Sequence, residues 1–334
     1  EQLKALRQLD GTSRSTLLET TNPIVRDRAI GGGHPSRLAK VDHHDRGPEF
    51  EYDWAQFDAN ANPEQFHPQN ARGLAIMAKR AYEPFGTSGT DPNTVGKGFA
   101  DFVQQGFQIQ FFGRSDQPGS TQAFMAIKGD QVFVSFRGTT ITEPEDVITD
   151  ARFCLREGYN GRVHEGFADA IDEVWADMAS TLTALREEHG PLKVHVTGHS
   201  LGAALATLAA VKIDNLPDVE VRSVVPLGSP RAFDNRAAAA FDRHLGQRTY
   251  RIVNNEDVVT DIPLRSMGYS HIGKEIYLDT KGRMRSNISD EIRSADRKRN
   301  KEEGKAWARG MPWNSAFTES LWDHGPVGYV KHLY

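Results

Sequence analysis

The stretch that decides the reading runs from Leu192 to Ala210, LKVHVTGHSLGAALATLAA. Leu192 to Val196 reads as a buried strand and Ser200 to Ile213 as a helix rich in small residues. Between them, Gly198-His199-Ser200-Leu201-Gly202 matches G-x-S-x-G. A strand that turns this sharply into a helix strains the backbone of its central residue. Side chains on the flanking residues would collide with neighbouring chain, which is why glycines are needed there. Ser200 is thereby lifted to the carboxyl end of the strand and to a helix N-terminus, whose partial positive charge favours a developing oxyanion. A glycine-rich turn with an N-capping serine is the bland alternative. The strand before it and the Ala-rich helix after it argue for the first reading.

Outward from this turn, strands and helices alternate. Phe107 to Phe112, Gln122 to Ile127 and Val132 to Phe136 read as strands, with Gly129-Asp130 suited to a tight hairpin turn. Helical spacing covers residues 70–82 and the region of Phe99, Phe102 and Val103. Beyond these, Phe167 to Leu185 reads as an amphipathic helix, Val219 to Leu227 as a strand, 235–245 as a helix and Tyr250 to Val253 as a strand. Such alternation predicts an α/β fold with a central, mostly parallel sheet and helices on both faces. Residues 1–65 are polar, with GGG at 31–33 and Asp/Asn/Pro clusters at 53–63, and predict an arm packed on a body spanning 66–334. His43, His44 and Asp45 in this arm lack a second ligand pair at zinc-like spacing and read as a solvated loop.

Composition excludes several classes. The 334 residues are 38% hydrophobic and 25% charged, which is enough to bury a sizeable core and argues against disorder. With 40 Lys and Arg against 45 Asp and Glu, a net charge of −5 offers no general attraction to nucleic acid. The lone Cys154 cannot form an intramolecular disulfide. The longest apolar stretch, Leu201 to Val211, falls short of the ~18 residues of a membrane span. The start, EQLKALRQLD, lacks an initiator Met and the apolar region of a signal peptide, which suggests a processed or trimmed form; the compartment stays open, with secretion slightly favoured. Nothing in the sequence indicates an oligomeric state.

A serine hydroxyl is a weak nucleophile at neutral pH. It needs a general base, and the base needs an orienting carboxylate, in the chain order Ser, acid, His. Asp257 follows YRIVNNE at the carboxyl end of a predicted strand, where sites of open α/β sheets form. Asp261 is its near decoy, and Asp234, in PRAFDN, reads as a helix cap. The histidines that follow Asp257 are His271, His324 and His332.

Further motifs stand in order along the chain: VSFRGT at 134–139, VHEGF at 163–167, LGSPRAFDN at 227–235, RIVNNEDVVTDIP at 251–263, GYSHIG at 268–273 and DHGPVGY at 323–329. With GHSLG, they resemble the class 3 lipases, the fungal-type triacylglycerol lipase group of the α/β-hydrolases, from about residue 69 to the C-terminus. The resemblance implies carboxylic-ester hydrolysis through an acyl-enzyme on Ser200, with Asp257 as acid and His324 as base. It implies an oxyanion hole from the backbone N–H of Leu201 and from Thr139, through its backbone and its hydroxyl. It implies a lipid ester substrate met at a lipid–water interface. The sequence shows no Gly-rich phosphate loop in a dinucleotide context and no metal-spaced ligand set, so no cofactor and no metal is expected. His271 corresponds to a family histidine outside the triad; His164 and His199 read as structural or site-wall residues, His332 as a tail residue, and Arg137 as an anchor of the loop after its strand.

Two departures bear on substrate. In the lid-like stretch Thr140 to Asp150, TITEPEDVITD, Asp146 and Asp150 agree with the family but Val147 stands where tryptophan is usual. The polar segment Lys281 to Met311, with SADRKRNK in its middle, reads as a solvated helical excursion, with a headgroup or membrane-surface contact as the alternative. The same triad could serve phospholipids, galactolipids or feruloyl-type esters, because fold does not fix substrate. An inactive hydrolase fold that binds lipid is the alternative from another class.

Overall fold

The computed structural model describes residues 51–113, 120–138, 154–255, 257–279, 281–286, 288, 291 and 324–333. Thr139, the lid-like stretch 140–150, most of 281–311 and the 43–45 cluster lie outside the described residues.

The chain enters α1, Pro68–Arg80, with proline in its first turn, where a missing N–H costs no helical bond. After α2, Ala100–Gln104, come three antiparallel strands: β1, Gln108–Phe112; β2, Ala123–Lys128; and β3, Gln131–Phe136. Lys128 pairs with Gln131 across Gly129-Asp130, the anticipated tight turn, with Gly129 at φ +61°. The strands β4, Leu155–Gly158, and β5, Gly161–His164, lead into the long helix α3, Glu165–His189. Next are β6, Leu192–His199; α4, Leu201–Asp214; β7, Val219–Leu227; β8, Phe233–Asp234; α5, Asn235–His244; and β9, Tyr250–Asn254. The described chain is completed by β10, Tyr269–Ser270; β11, Lys274–Leu278; β12, Met284–Ser286; and α6, Pro326–Leu333.

The main sheet has the order β1-β2-β3-β6-β7-β9-β11-β12. From β3 to β11 every neighbouring pair is parallel, and antiparallel strands flank this centre. Alternate residues of the central strands enter two cores. Val132, Val134 and Val196 pack with Ile171 and Met178 of α3 and Leu205 of α4, whereas Phe133 and Ile252 pack with Leu74 and Met77 of α1 and Tyr329 of α6. Burial on both faces is why these strands read as near-continuous apolar runs.

Three features depart from the sequence reading. A second, small sheet of order β10-β8-β5-β4 stands apart from the main one; its strands of two to four residues are too short to show a period. β11 extends the parallel sheet by one strand. Residues 51–57 are more than a polar wrap: Trp54 is buried within 5.1–5.7 Å, ring to ring, of Phe57, Phe102, Phe107 and Phe133. Single aromatics among Glu, Asp and Gln leave no periodicity to read, but their burial, with the bonds of Gln105 to Trp54 N–H and the Tyr52 carbonyl, anchors the segment.

Candidate active site

Ser200 sits between β6 and α4 at φ 60°, ψ −130°, a conformation that costs a non-glycine residue about 1–3 kcal/mol. The fold holds it there: its N–H donates to the Leu227 carbonyl at 2.9 Å, and its own carbonyl accepts from Ala203 N–H at 2.9 Å. A Cβ on Gly198 would lie 2.2 Å from the Gly202 carbonyl oxygen, and one on Gly202 would lie 2.3 Å from that of Phe136. Both glycines of the motif are therefore required by close backbone approach. Leu201 is the first residue of α4, where no helical carbonyl takes the N–H.

Asp257 follows β9 and caps the 3-10 turn Val258–Asp261, its Oδ1 accepting from Val259 N–H at 2.9 Å. His324 stands two residues before α6, which packs Tyr329, Val330 and Leu333 into the core beside α1. That anchoring brings His324 to Asp257 across 67 residues of sequence. A carboxylate only accepts, so His324 Nδ1–H donates to Asp257, at 2.9 Å to Oδ1 and 3.0 Å to Oδ2. Nε2 is then the acceptor for the Ser200 hydroxyl at 2.7 Å. All three side chains are buried. The Tyr329 hydroxyl donates to Asp257 Oδ2 at 2.5 Å and accepts from Asn254 N–H at 3.1 Å, so the carboxylate is held by three donors.

The other sequence candidates lie elsewhere. His271 Nε2–H donates to the Thr260 carbonyl at 2.7 Å, and burial beside Arg251 and Arg231 holds its pKa well below the ordinary histidine value. Asp261 pairs with Arg231, whose guanidinium also donates to the carbonyls of Asp261 and Pro263. Asp234 caps α5 through Ala237 N–H at 2.8 Å. His164 caps α3 at Phe167 N–H, and burial pushes its pKa down to about 4. Arg137 donates to Gln122 Oε1 at 2.8 Å, and the loop it was expected to anchor lies outside the described residues from Thr139 on. His332 is not a loose tail: its Nδ1 lies 2.7 Å from Asn254 Oδ1, because α6 carries it back against the end of β9. Tyr329, Gly228 and Tyr82 carry contacts at the site that went unassigned in the sequence; only Tyr329 and Gly228 lay inside quoted motifs.

Thr139 lies outside the described residues, but Gly138 before it packs against the turn at Ser200: a Cβ there would lie 2.2 Å from the Tyr82 hydroxyl and 2.6 Å from the His199 carbonyl oxygen. Among the described residues, no group of three or more His, Cys, Asp or Glu is placed to hold a metal ion, and no helix is long and apolar enough to cross a membrane.

Residues 133–267 match the family model of class 3 lipases. Over 157 residues, 44% of this chain and 51% of the relative, the chain is 27% identical to a secreted mono- and diacylglycerol lipase of Malassezia globosa. Over 119 residues, 35% of this chain and 34% of the relative, it is 34% identical to a secreted mono- and diacylglycerol lipase of Fusarium solani. The chain thus spans about half, or less, of the length of these curated relatives. The crystal structure of the mono- and diacylglycerol lipase from Aspergillus oryzae superposes with a TM-score of 0.55 at 25% identity, covering 67% of this chain and 87% of that one. The fold is that of the α/β-hydrolases, and the resemblance to class 3 lipases holds.

Proposed function

We propose, on the premise of a class 3 lipase match carried on an α/β-hydrolase fold, that this protein is a serine hydrolase that cleaves carboxylic esters of lipids. One observation carries the reading: the unbroken hydrogen-bond chain from Ser200 Oγ through both nitrogens of His324 to Asp257. His324 takes the Ser200 proton as Oγ attacks the ester carbonyl, and Asp257 holds the ring and stabilises the imidazolium. Leu201 N–H and Thr139 receive the oxyanion. His324 returns the proton to the leaving alcohol, and water then attacks the acyl-enzyme by the same route, releasing the fatty acid and freeing Ser200.

The relatives are named for mono- and diacylglycerols and as secreted proteins, and both properties are extended to this chain. The catalytic body spans 66–334, with 1–65 as an arm whose 51–57 portion is built into the core. The lid-like stretch 140–150 offers Ile141, Val147 and Ile148 against four acids, so a lipid interface gains little apolar surface from it. Dissolved short-chain glycerides are accordingly turned over, with a modest rate rise above their solubility limit.

A panel of mono-, di- and triacylglycerols, phospholipids, galactolipids and feruloyl esters, assayed across chain lengths with Ser200→Ala as control, tests the reading. Glyceride hydrolysis that vanishes in the control supports it. No ester turnover by the folded wild-type chain contradicts it, and turnover confined to phospholipids, galactolipids or feruloyl esters reassigns the substrate.

A further inference from the structure

His199, inside the GHSLG turn, makes contacts that Ser200 chemistry does not require. Its Nε2 lies 2.5 Å from the backbone carbonyl oxygen of His324, and the two rings are 4.8 Å apart. Its Nδ1 lies 2.8 Å from the hydroxyl of Tyr82, just beyond the end of α1. The same hydroxyl receives the backbone N–H of Gly138, the residue before Thr139, and Gly138 approaches so closely that no Cβ fits between them.

The directions of these bonds follow from chemistry. A carbonyl oxygen only accepts, so Nε2 of His199 carries a proton. In a neutral imidazole, Nδ1 is then the acceptor, and Tyr82 must donate to it. Burial pushes the Tyr82 hydroxyl pKa up, so the O–H is retained. Every group has a complementary partner: Gly138 N–H to Tyr82 oxygen, Tyr82 O–H to His199 Nδ1, His199 Nε2–H to His324 carbonyl.

We propose that Tyr82 and His199 form a positioning relay that ties the strand end entering the oxyanion loop to the backbone of the general base. The proposal rests on the serine hydrolase reading. His324 is otherwise held by its triad bonds and by the packing of α6, while Gly138 leaves the sheet at the end of β3. The turn at Ser200 lies between these two sites. The relay crosses that turn and fixes both sides relative to the nucleophile, so that base and oxyanion donors keep one mutual geometry. Tyr82 and His199 touch no reacting atom in this scheme.

The test uses the full chain with histidine labelled by 15N, together with kinetics of Tyr82→Phe, His199→Leu, their double variant and His199→Gln. The relay predicts the Nε2–H tautomer for His199 in the wild-type protein. It predicts that Tyr82→Phe and His199→Leu each lower kcat about ten- to a hundredfold with KM within twofold, since small misplacements of reacting groups carry such losses. The double variant is no slower than the worse single, because both break one chain. His199→Gln keeps a donor within reach of the His324 carbonyl and recovers most of the rate.

An Nδ1–H tautomer overturns the proposal, as does a folded Tyr82→Phe with kcat within threefold of wild type. Should His199→Leu fail to fold, Tyr82→Phe, which removes a single oxygen, decides the kinetic question. Absence of ester turnover in the wild-type chain would instead strike the serine hydrolase reading, leaving the tautomer to decide the relay geometry.

Discussion

Gly228 lies directly against the Asp257 carboxylate: a Cβ at this position would sit 2.7 Å from Oδ2, 3.0 Å from the Tyr329 hydroxyl and 3.2 Å from His324 Nδ1. Its φ of +58° places it in the left-handed region as well. The strand end that supplies the Leu227 carbonyl to Ser200 therefore also shapes the seat of the acid. Gly228→Ala must push on the Asp257–His324 pair, and we expect kcat to fall by about a hundredfold, the scale of a misplacement near 1 Å. The left-handed backbone adds about 1–2 kcal/mol of destabilisation. Kinetics and a urea midpoint measure the two effects separately; a folded variant of unaltered kcat would contradict the close packing.

Tyr329→Phe removes one of the three donors to Asp257 and takes an acceptor from Asn254 N–H. Losing the hydroxyl leaves a buried N–H without that partner, at a cost of about 1–3 kcal/mol of stability. His324 and Val259 still hold the carboxylate. We expect about a tenfold loss of kcat, far smaller than the ~10⁴-fold loss for Asp257→Asn, which disturbs the base itself. Equal losses in the two variants would show that Tyr329 is part of the reacting unit.

Ser200 and Asp257 were legible from their immediate surroundings, and the structure brings both into hydrogen-bond reach of His324. Ser200 is bracketed by a buried strand, two glycines and an Ala-rich helix, and the backbone contacts of Gly198 and Gly202 are the physical reason for that pattern. Asp257 stands at a strand end. His324 was reached through its resemblance to a family motif, since spacing alone left His271 and His332 open. What stayed hidden acts over long separations: Tyr82 meets His199 across 117 residues, and α6 returns to α1 through buried Tyr329 and Leu333 with no local signal of where it docks. The small second sheet was hidden for another reason, as β8 and β10 are two residues each and owe their pairing to the chain around them.

His271→Ala and Asp261→Asn separate the decoys from the triad. His271 props the Thr260 carbonyl, while Thr260 Oγ1 donates to the Asp257 carbonyl at 2.8 Å, and Asp261 answers Arg231. Both variants should lose stability yet retain reaction with a serine-directed phosphonate. A folded His271→Ala that no longer reacts would move the base assignment away from His324.

Stability should fall on mild acidification. Burial lowers the pKa of His164 to about 4 and that of His195 to about 3. An unfolded histidine binds its proton near pH 6.5 while the folded sites refuse it, so the full stability is present above that pH and is lost as pH falls toward 4. Each group can remove up to ~2 kcal/mol between pH 6.5 and 5, at ~1.4 kcal/mol per pH unit. Urea midpoints at pH 7.5 and 5 measure the loss, which should shrink in His195→Phe, where the ring still stacks on Phe133. The same loss in variant and wild type would mean that His195 is not the neutral, buried group described.

The most direct measurement is the site and stoichiometry of phosphonate labelling. Attack by Ser200 Oγ on a p-nitrophenyl alkylphosphonate expels nitrophenolate and leaves a stable phosphonyl ester, so intact mass and peptide mapping report the nucleophile itself. The account predicts one adduct per wild-type chain, located on Ser200, with none in Ser200→Ala and formation slowed at least about 10³-fold in His324→Ala. A folded wild-type chain that takes up no phosphonate, or that carries it on a residue other than Ser200, would contradict the account.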